Sequence, residues 1–354
     1  MKLLVTGGAG FIGSHLIRRW LHVHQDHSIV NLDSLTYAGT LDRLVDADDP
    51  QWRAPLEARR GHYRFIKGDV CDPAIVREAL EGVDAVIHCA AETHVDRSIT
   101  NTAPFIRTNV EGTRVLLEQI RVQPVKRFLY ISTDEVYGPV LEGAVDEQAP
   151  LRPQSPYAAS KAAADLLVQA FHTTFGLPAM IARPTNVFGI SQLPEKFIPL
   201  CITNAIEGRP LPLYGDGQQR RCWLFVDNVC DALMAIMEKG TIGEIYNIGS
   251  GCEQTNLETA QQILAALQPT TSHIQFVADR PGHDRRYAMN DAKLHALGWE
   301  PRISFPDGLR QTIEWYKKCQ EMWLPVTQRL REDPYHWLNR PARASAQQPS
   351  GAIR

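Results

Sequence analysis

Short apolar runs at residues 3–6, 29–32, 65–66, 85–88, 128–131 and 180–182 punctuate the first half of the chain. The stretches between them repeat apolar positions at helical spacing, as over 104–121 and 157–175. Such runs, lacking polar alternation, suit strands buried on both faces. Their alternation with helices predicts an α/β fold of Rossmann type, a doubly wound parallel sheet covered on both sides. Beyond Arg183 the pattern changes, and Pro184, Gly189, Pro194, Pro199, Gly208, Pro210, Pro212 and Gly215 crowd one stretch. This predicts a smaller, loop-rich lobe over 184–330, packed against a first domain over 1–183. The segment 224–250, with apolar stretches at 225–239 and 245–248, reads as a return to the sheet. The tail, 331–354, ends in Ala, Ser, Gln, Pro and Gly and reads as partly disordered.

With 354 residues and 44% hydrophobic content, the chain can bury a large core. Its net charge of −3 and the lack of a Lys/Arg run give no sign of a nucleic-acid or membrane-surface partner. The 7 cysteines are scattered without a Cys-x-x-Cys spacing, so neither a disulfide framework nor a metal site is expected. A reduced, cytoplasmic setting follows. No apolar run is long enough for a bilayer, and the N-terminal one is too short for a signal peptide.

The first strand runs straight into Gly7-Gly8-Ala9-Gly10-Phe11-Ile12-Gly13, with a helix starting near Ser14. In a strand–turn–helix unit, Gly7 allows the tight turn, Gly10 lets a pyrophosphate approach the backbone, and Gly13 lets helix and strand pack closely. The helix N-terminus then offers free N–H groups and positive dipole to the phosphates. The next strand ends at Asp33, about 20 residues beyond Gly13, where a carboxylate accepts a ribose 2′-hydroxyl and repels a 2′-phosphate. The expected cofactor is NAD. Asp69 and Val70 after the third strand would flank its adenine, and Cys89, Ala90 and Ala91 after the fourth its nicotinamide half.

The strand at 128–131 is followed by Ser132-Thr133-Asp134-Glu135. Two carboxylates at that end of a parallel strand are either a loop facing water or an acid–base pair facing the ligand crevice. Further on, Tyr157 and Lys161 stand four apart at a helix start, either as ordinary surface residues or with the cation beneath the phenol. A cation there favours the phenolate and brings a group that ordinarily titrates near 10 within reach of base chemistry.

Together these stretches resemble the extended short-chain dehydrogenase/reductase superfamily, and within it the nucleotide-sugar 4,6-dehydratases. The match also draws on residues 33–39, 90–98, 194–199 and 279–284 and covers roughly 1–315. The acid pair separates this group from related 4-epimerases. The resemblance implies an NAD-dependent lyase acting on a nucleotide-activated glucose, dTDP-glucose first. The alternatives are a dehydratase of a UDP- or other NDP-sugar, an epimerase or decarboxylase on the same scaffold, or a non-catalytic NAD-sensing binder. It implies Tyr157 as base at the sugar O4, Lys161 on the nicotinamide ribose, Thr133 at O4, Glu135 as base at C5 and Asp134 as acid at the C6 hydroxyl.

The same resemblance adds Phe11, Ile12, Ser34, Leu35, Thr36 and Thr108 to the cofactor site. It assigns the nucleotide sugar to Thr93, Asn186, Lys196, Phe197, Pro212, Tyr214, Arg221, Asn256, Arg280 and His283. Arg220 leaves the Arg221 assignment uncertain by one position. Two departures bear on specificity: Val187 stands where the family usually has a second Asn, and Cys222 where it has an Asp. The resemblance also implies a homodimer built by the helices over 104–121 and 157–175 as a four-helix bundle.

Overall fold

The computed structural model describes residues 1–45 and 62–332. The first elements are β1 (Lys2–Thr6), α1 (Phe11–Val23), β2 (Ser28–Asp33), β3 (Tyr63–Lys67), α2 (Pro73–Ala79), β4 (Ala85–His88), α3 (Val95–Thr100), α4 (Ala103–Phe105), α5 (Thr113–Val122), β5 (Arg127–Ile131) and α6 (Pro156–Phe175). After them come β6 (Ala179–Pro184), β7 (Asn186–Phe188), α7 (Phe197–Ile206), β8 (Leu211–Tyr214), β9 (Arg220–Phe225), α8 (Val226–Lys239) and β10 (Ile245–Ile248). The chain continues through β11 (Glu253–Thr255), α9 (Asn256–Ala266), β12 (Ile274–Val277), α10 (Ala292–His295), α11 (Phe305–Lys318) and α12 (Gln320–Glu332).

Seven strands form one parallel sheet in the order β10-β6-β5-β4-β1-β2-β3. Side chains of a strand alternate between its faces. Leu3 and Val5 therefore pack on one side with Leu16 and Trp20 of α1 and Val229 and Leu233 of α8. Leu4 packs on the other with Leu116 of α5 and Val168 of α6. The strand order reverses between β1 and β4, so the loops leaving them diverge and open a crevice at the C-terminal edge of the sheet.

One sequence reading is refined and one changes. The stretch 225–239 returns to the sheet as helix α8 packed on its face, because Val226, Val229, Cys230, Leu233 and Met237 repeat at helical spacing and bury one face. Only 245–248 adds a strand, β10, beside β6. The helix expected over 104–121 is broken by a π-helical segment, Ile106–Gly112, between α4 and α5. Asn109 anchors it, accepting the Glu92 N–H at 2.8 Å and donating to the Glu92 carbonyl at 3.0 Å and the Ser160 hydroxyl at 2.8 Å. A π turn of this kind re-aims side chains, here Thr108 toward the crevice.

Beyond β6 lie a three-stranded sheet, β11-β9-β7, and a two-stranded one, β12-β8. A third apolar cluster, with Phe188, Ile198, Trp223, Phe225, Phe305 and Tyr316, joins them to α7 and α11. Of the tail, residues 331–332 close α12, and 333–354 lie outside the described residues. No described helix is long and apolar enough to cross a membrane.

Candidate active site

A cavity of about 990 Å³ follows the crevice from the glycine turn past β5 and α6 to β8, β9 and the loop at 280–283. Every cofactor, catalytic and nucleotide-sugar residue singled out above lines it, except Leu35 and Asp134. Leu35 lies beneath the wall: with φ of 53° it turns the loop after β2 and donates its N–H to Asp33 Oδ1 at 2.8 Å. Asp134 sits behind the surface, 2% exposed.

At one end the turn leaves no room for side chains. A Cβ on Gly7, whose φ is 69°, would stand 2.6 Å from the Ala90 nitrogen, and one on Gly13 would stand 2.3 Å from the Gly7 carbonyl oxygen. Helix α1 starts at Gly10 without a side-chain cap, which leaves first-turn N–H groups for a ligand. Asp33 Oδ2 accepts the Ala9 N–H at 2.9 Å, so the carboxylate is braced by the turn itself. Burial raises its pKa against these backbone bonds. Arg43, not singled out from the sequence, ties this loop down by donating to the carbonyls of Ala38 at 2.6 Å and Ser191 at 2.8 Å. Braced carboxylate, uncapped helix and cradle without Cβ atoms together fit a dinucleotide.

At mid-cavity, β5 ends at Ile131 and a single 3-10 turn, Asp134–Tyr137, follows with Thr133 as its cap. Asp134 Oδ1 lies 3.2 Å from the Thr133 hydroxyl and Oδ2 lies 3.1 Å from the Thr185 hydroxyl. Burial, then the neighbouring Glu135 charge, pushes its pKa up to about 7. Glu135 faces the cavity; burial raises it too, against the opposing charges of Arg280 and Arg221.

The Tyr157–Lys161 pair departs from its sequence reading. Lys161 donates to the Ile131 carbonyl at 2.5 Å and lies 4.2 Å from the centre of the Tyr130 ring. Its charge is spent there, and burial together with the Glu135 charge drives the Tyr157 phenol well above its ordinary range. Lys161 itself falls to about 8, through burial. Helix spacing places the two side chains on one face, but the partner of the ammonium is set by the end of β5.

At the far end Arg221 is 5% exposed and donates to the carbonyls of Arg220 and Asp284 at 2.8 and 2.9 Å. Arg220 points outward and pairs with Glu253 at 2.7 Å, so of the two arginines it is Arg221 that lines the cavity. Lys196 donates to the Thr93 carbonyl at 2.7 Å. The buried atoms Asn186 Oδ1, Asn256 Oδ1 and Arg280 Nε have no protein partner. Unpaired buried polar atoms beside three cations suit a ligand that is both anionic and rich in hydrogen-bonding groups. Val187 lines the cavity and Cys222 lies just behind it, its Sγ 3.8 Å from the Tyr287 carbonyl oxygen.

A family model described as GDP-mannose 4,6 dehydratase matches residues 4–312. The chain belongs to this dehydratase family. Among family relatives, the dTDP-glucose 4,6-dehydratase of Streptomyces niveus is 47% identical over 331 residues, 92% of this chain and 96% of that protein. The enzyme of the same name from Haemophilus influenzae is 47% identical, covering 89% of this chain and 98% of its own. The crystal structure of DesIV, a dTDP-glucose 4,6-dehydratase from Streptomyces venezuelae with NAD and dTDP bound, superposes with a TM-score of 0.87. It is 44% identical, over 92% of this chain and 100% of that one. The dehydratase scaffold also superposes on a Thermus thermophilus UDP-glucose 4-epimerase at 29% identity and TM-score 0.80, covering 90% of this chain and all of that one. The SDR-type α/β fold expected from the strand–helix alternation is therefore the fold of the family.

Thr185 and Gln192 line the cavity of this dehydratase and were not singled out from the sequence. Thr185 follows β6 directly, at the same sheet edge as the acid pair. That position was the signal available.

Proposed function

We propose that this protein converts dTDP-glucose to dTDP-4-keto-6-deoxyglucose with NAD as a cofactor regenerated in every turnover. The observation that carries the reading is the pair of adjacent carboxyls, Asp134 buried and raised to about 7 and Glu135 facing the cavity, on the turn after β5, with Tyr157 of α6 lining the same cavity. Relatives of that name at 47% identity support the substrate.

The glycine turn, Asp33 and Lys161 would hold NAD, which supplies the hydride acceptor for C4 and the donor for C6. In this reading Tyr157 takes the O4 proton. It can do so only as the phenolate, which burial and the Glu135 charge oppose in the protein alone, so the phenol must first release its own proton, a loss that the positive nicotinamide ring of bound NAD would favour. The C4 ketone acidifies the C5 proton, and Glu135 removes it. Asp134 gives its proton to the C6 hydroxyl, the C6–O bond breaks with its electron pair on oxygen, and water leaves; C5 is then reprotonated as hydride is added at C6. Arg221, Arg280 and Lys196 suit the diphosphate, and Thr133 the O4 region.

In this proposal the cofactor belongs to residues 1–183 with 224–250, and the nucleotide sugar to 184–330. We propose a homodimer formed by the helices over 104–121 and 157–175. Exposed Ile106, Leu166 and Phe175 on these stretches support it. A cytoplasmic setting is supported by the seven free cysteines.

The test is incubation with dTDP-glucose, UDP-glucose or GDP-mannose without added reductant, followed by the alkaline absorbance of a 4-keto sugar. Turnover of dTDP-glucose is expected; none with any of the three sinks the reading. Glu135→Gln is expected to abolish deuterium uptake at C5 from heavy water, and normal uptake removes Glu135 from its role.

A further inference from the structure

The acid that releases water must be stored with its proton on, and burial alone does not say which atom keeps that proton. The answer lies in a hydroxyl that counts one proton between two oxygens. Thr185 Oγ1 stands 2.9 Å from the Cys222 carbonyl oxygen and 3.1 Å from Asp134 Oδ2. Both distances are hydrogen bonds between oxygens. A carbonyl only accepts, so the single Thr185 proton must go to Cys222; otherwise two sets of lone pairs face each other at 2.9 Å. The bond to Asp134 can then form only if the carboxyl donates, with the proton on Oδ2 and Thr185 as acceptor.

The other oxygen obeys the same count. Thr133 Oγ1 accepts the Glu135 N–H at 3.3 Å, which leaves its own proton for Asp134 Oδ1 at 3.2 Å. Asp134 thus receives one bond on Oδ1 and gives one from Oδ2, the pattern of a neutral carboxylic acid. A carboxylate would leave Oδ2 facing a hydroxyl that has no proton to offer.

We propose that Thr185 is the positioning residue that keeps the acid of this active site protonated, by offering Asp134 Oδ2 an acceptor whose own proton is committed to the Cys222 carbonyl. Thr185 lines the cavity wall between β6 and β7 and Cys222 lies on β9, so the device exists only where these strands meet. The proposal rests on the dehydratase reading for its chemistry: the proton stored on Oδ2 passes to the leaving C6 oxygen as the C6–O electron pair departs with it, while Glu135 takes the C5 proton. The geometry that stores the proton is independent of the substrate.

Besides the Thr133 and Thr185 hydroxyls, which lower its pKa when they donate to it, the charged and titratable groups that act on Asp134 are Glu135 on its own turn, Arg221 and the Cys222 thiol on β9, and Tyr157 on α6. Glu135 favours the neutral acid and Arg221 opposes it. The sign of the Thr185 effect separates the two ways its hydroxyl can point. A donor to Asp134 stabilises the carboxylate, and its loss raises the titration midpoint. An acceptor from Asp134 stabilises the acid, and its loss lowers it.

The experiment is infrared difference spectroscopy of the NAD-loaded protein without sugar, following the protonated-carboxyl band that disappears in Asp134→Asn. The expected result is a band titrating near neutrality whose midpoint falls in Thr185→Val, the acid dissociation constant rising about fivefold to tenfold, as befits one lost hydrogen bond of ordinary strength. Thr185→Ser, which keeps the hydroxyl, restores it. An unchanged or raised midpoint, or no such band in the wild type, overturns the proposal. Thr185→Ala provides the same reading should the valine variant not fold. Because no sugar is present, a correct shift with no turnover of dTDP-glucose would refute the enzymatic reading while supporting the proton assignment.

Discussion

Replacing Asp134 by Asn should make the protein more stable, and increasingly so as the pH rises. In the folded state the Asp134 carboxyl, 2% exposed, titrates near 7, against 3.8 for the free side chain. Below about pH 4 it is neutral in both folded and unfolded chains and makes no difference. Between about pH 4 and 7 the unfolded chain ionises and is solvated while the folded chain stays neutral, so each pH unit costs the folded state about 1.4 kcal/mol. Above about 7 both forms are ionised and the loss levels off at about 4 kcal/mol, roughly three units at that rate. Asn mimics the neutral acid and can still donate to Thr185, so it escapes this cost. The assay is urea unfolding of wild type and Asp134→Asn at saturating NAD from about pH 4 to 9. Taking the difference between the two proteins cancels the other titrating groups and the cofactor. The expected difference is small at the acid end, grows in favour of Asn up to neutrality and is flat beyond. A difference independent of pH, or a wild type more stable at high pH, refutes the reasoning. The same substitution should stop water loss, making Asp134 a residue that trades stability for activity.

Arg183 and Asp165 form a fully buried pair at 2.8 Å beneath the acid turn, with Arg183 also donating to the Tyr137 hydroxyl at 2.7 Å. Arg183→Met should cost about 3–5 kcal/mol by stranding a buried carboxylate, and adding Asp165→Leu should recover most of it; urea midpoints of the two variants check this. Leu166, 57% exposed on α6, lies on the face assigned to the partner subunit. Leu166→Glu should convert a dimer to a monomer in sedimentation while leaving NAD bound, and a wild-type protein that sediments as a monomer removes the assembly proposal.

Much of this protein is legible from one dimension because its causes are local. The apolar runs at 85–88 and 128–131 are strands by composition, and the sheet they form is parallel because helices separate them. Gly7 and Gly13 mark their turn because no side chain fits there, and Asp33 is recognisable by its distance from them. The stretch 225–239 shows the limit: its apolar residues say that it returns to the sheet, and only its neighbours decide whether it does so as a strand within the sheet or a helix upon it. What tertiary structure alone decided is how protons and charges are shared. Spacing brings Lys161 under Tyr157, but the ammonium goes to the Ile131 carbonyl that β5 presents. Residue type alone does not say which of the two adjacent carboxyls is the acid; the family resemblance names Asp134. In the proposed proton count its partners are Thr185 and Cys222, 51 and 88 positions along the chain from Asp134, meeting it through two other strands, because hydrogen-bond partners and desolvation depend on distance in space.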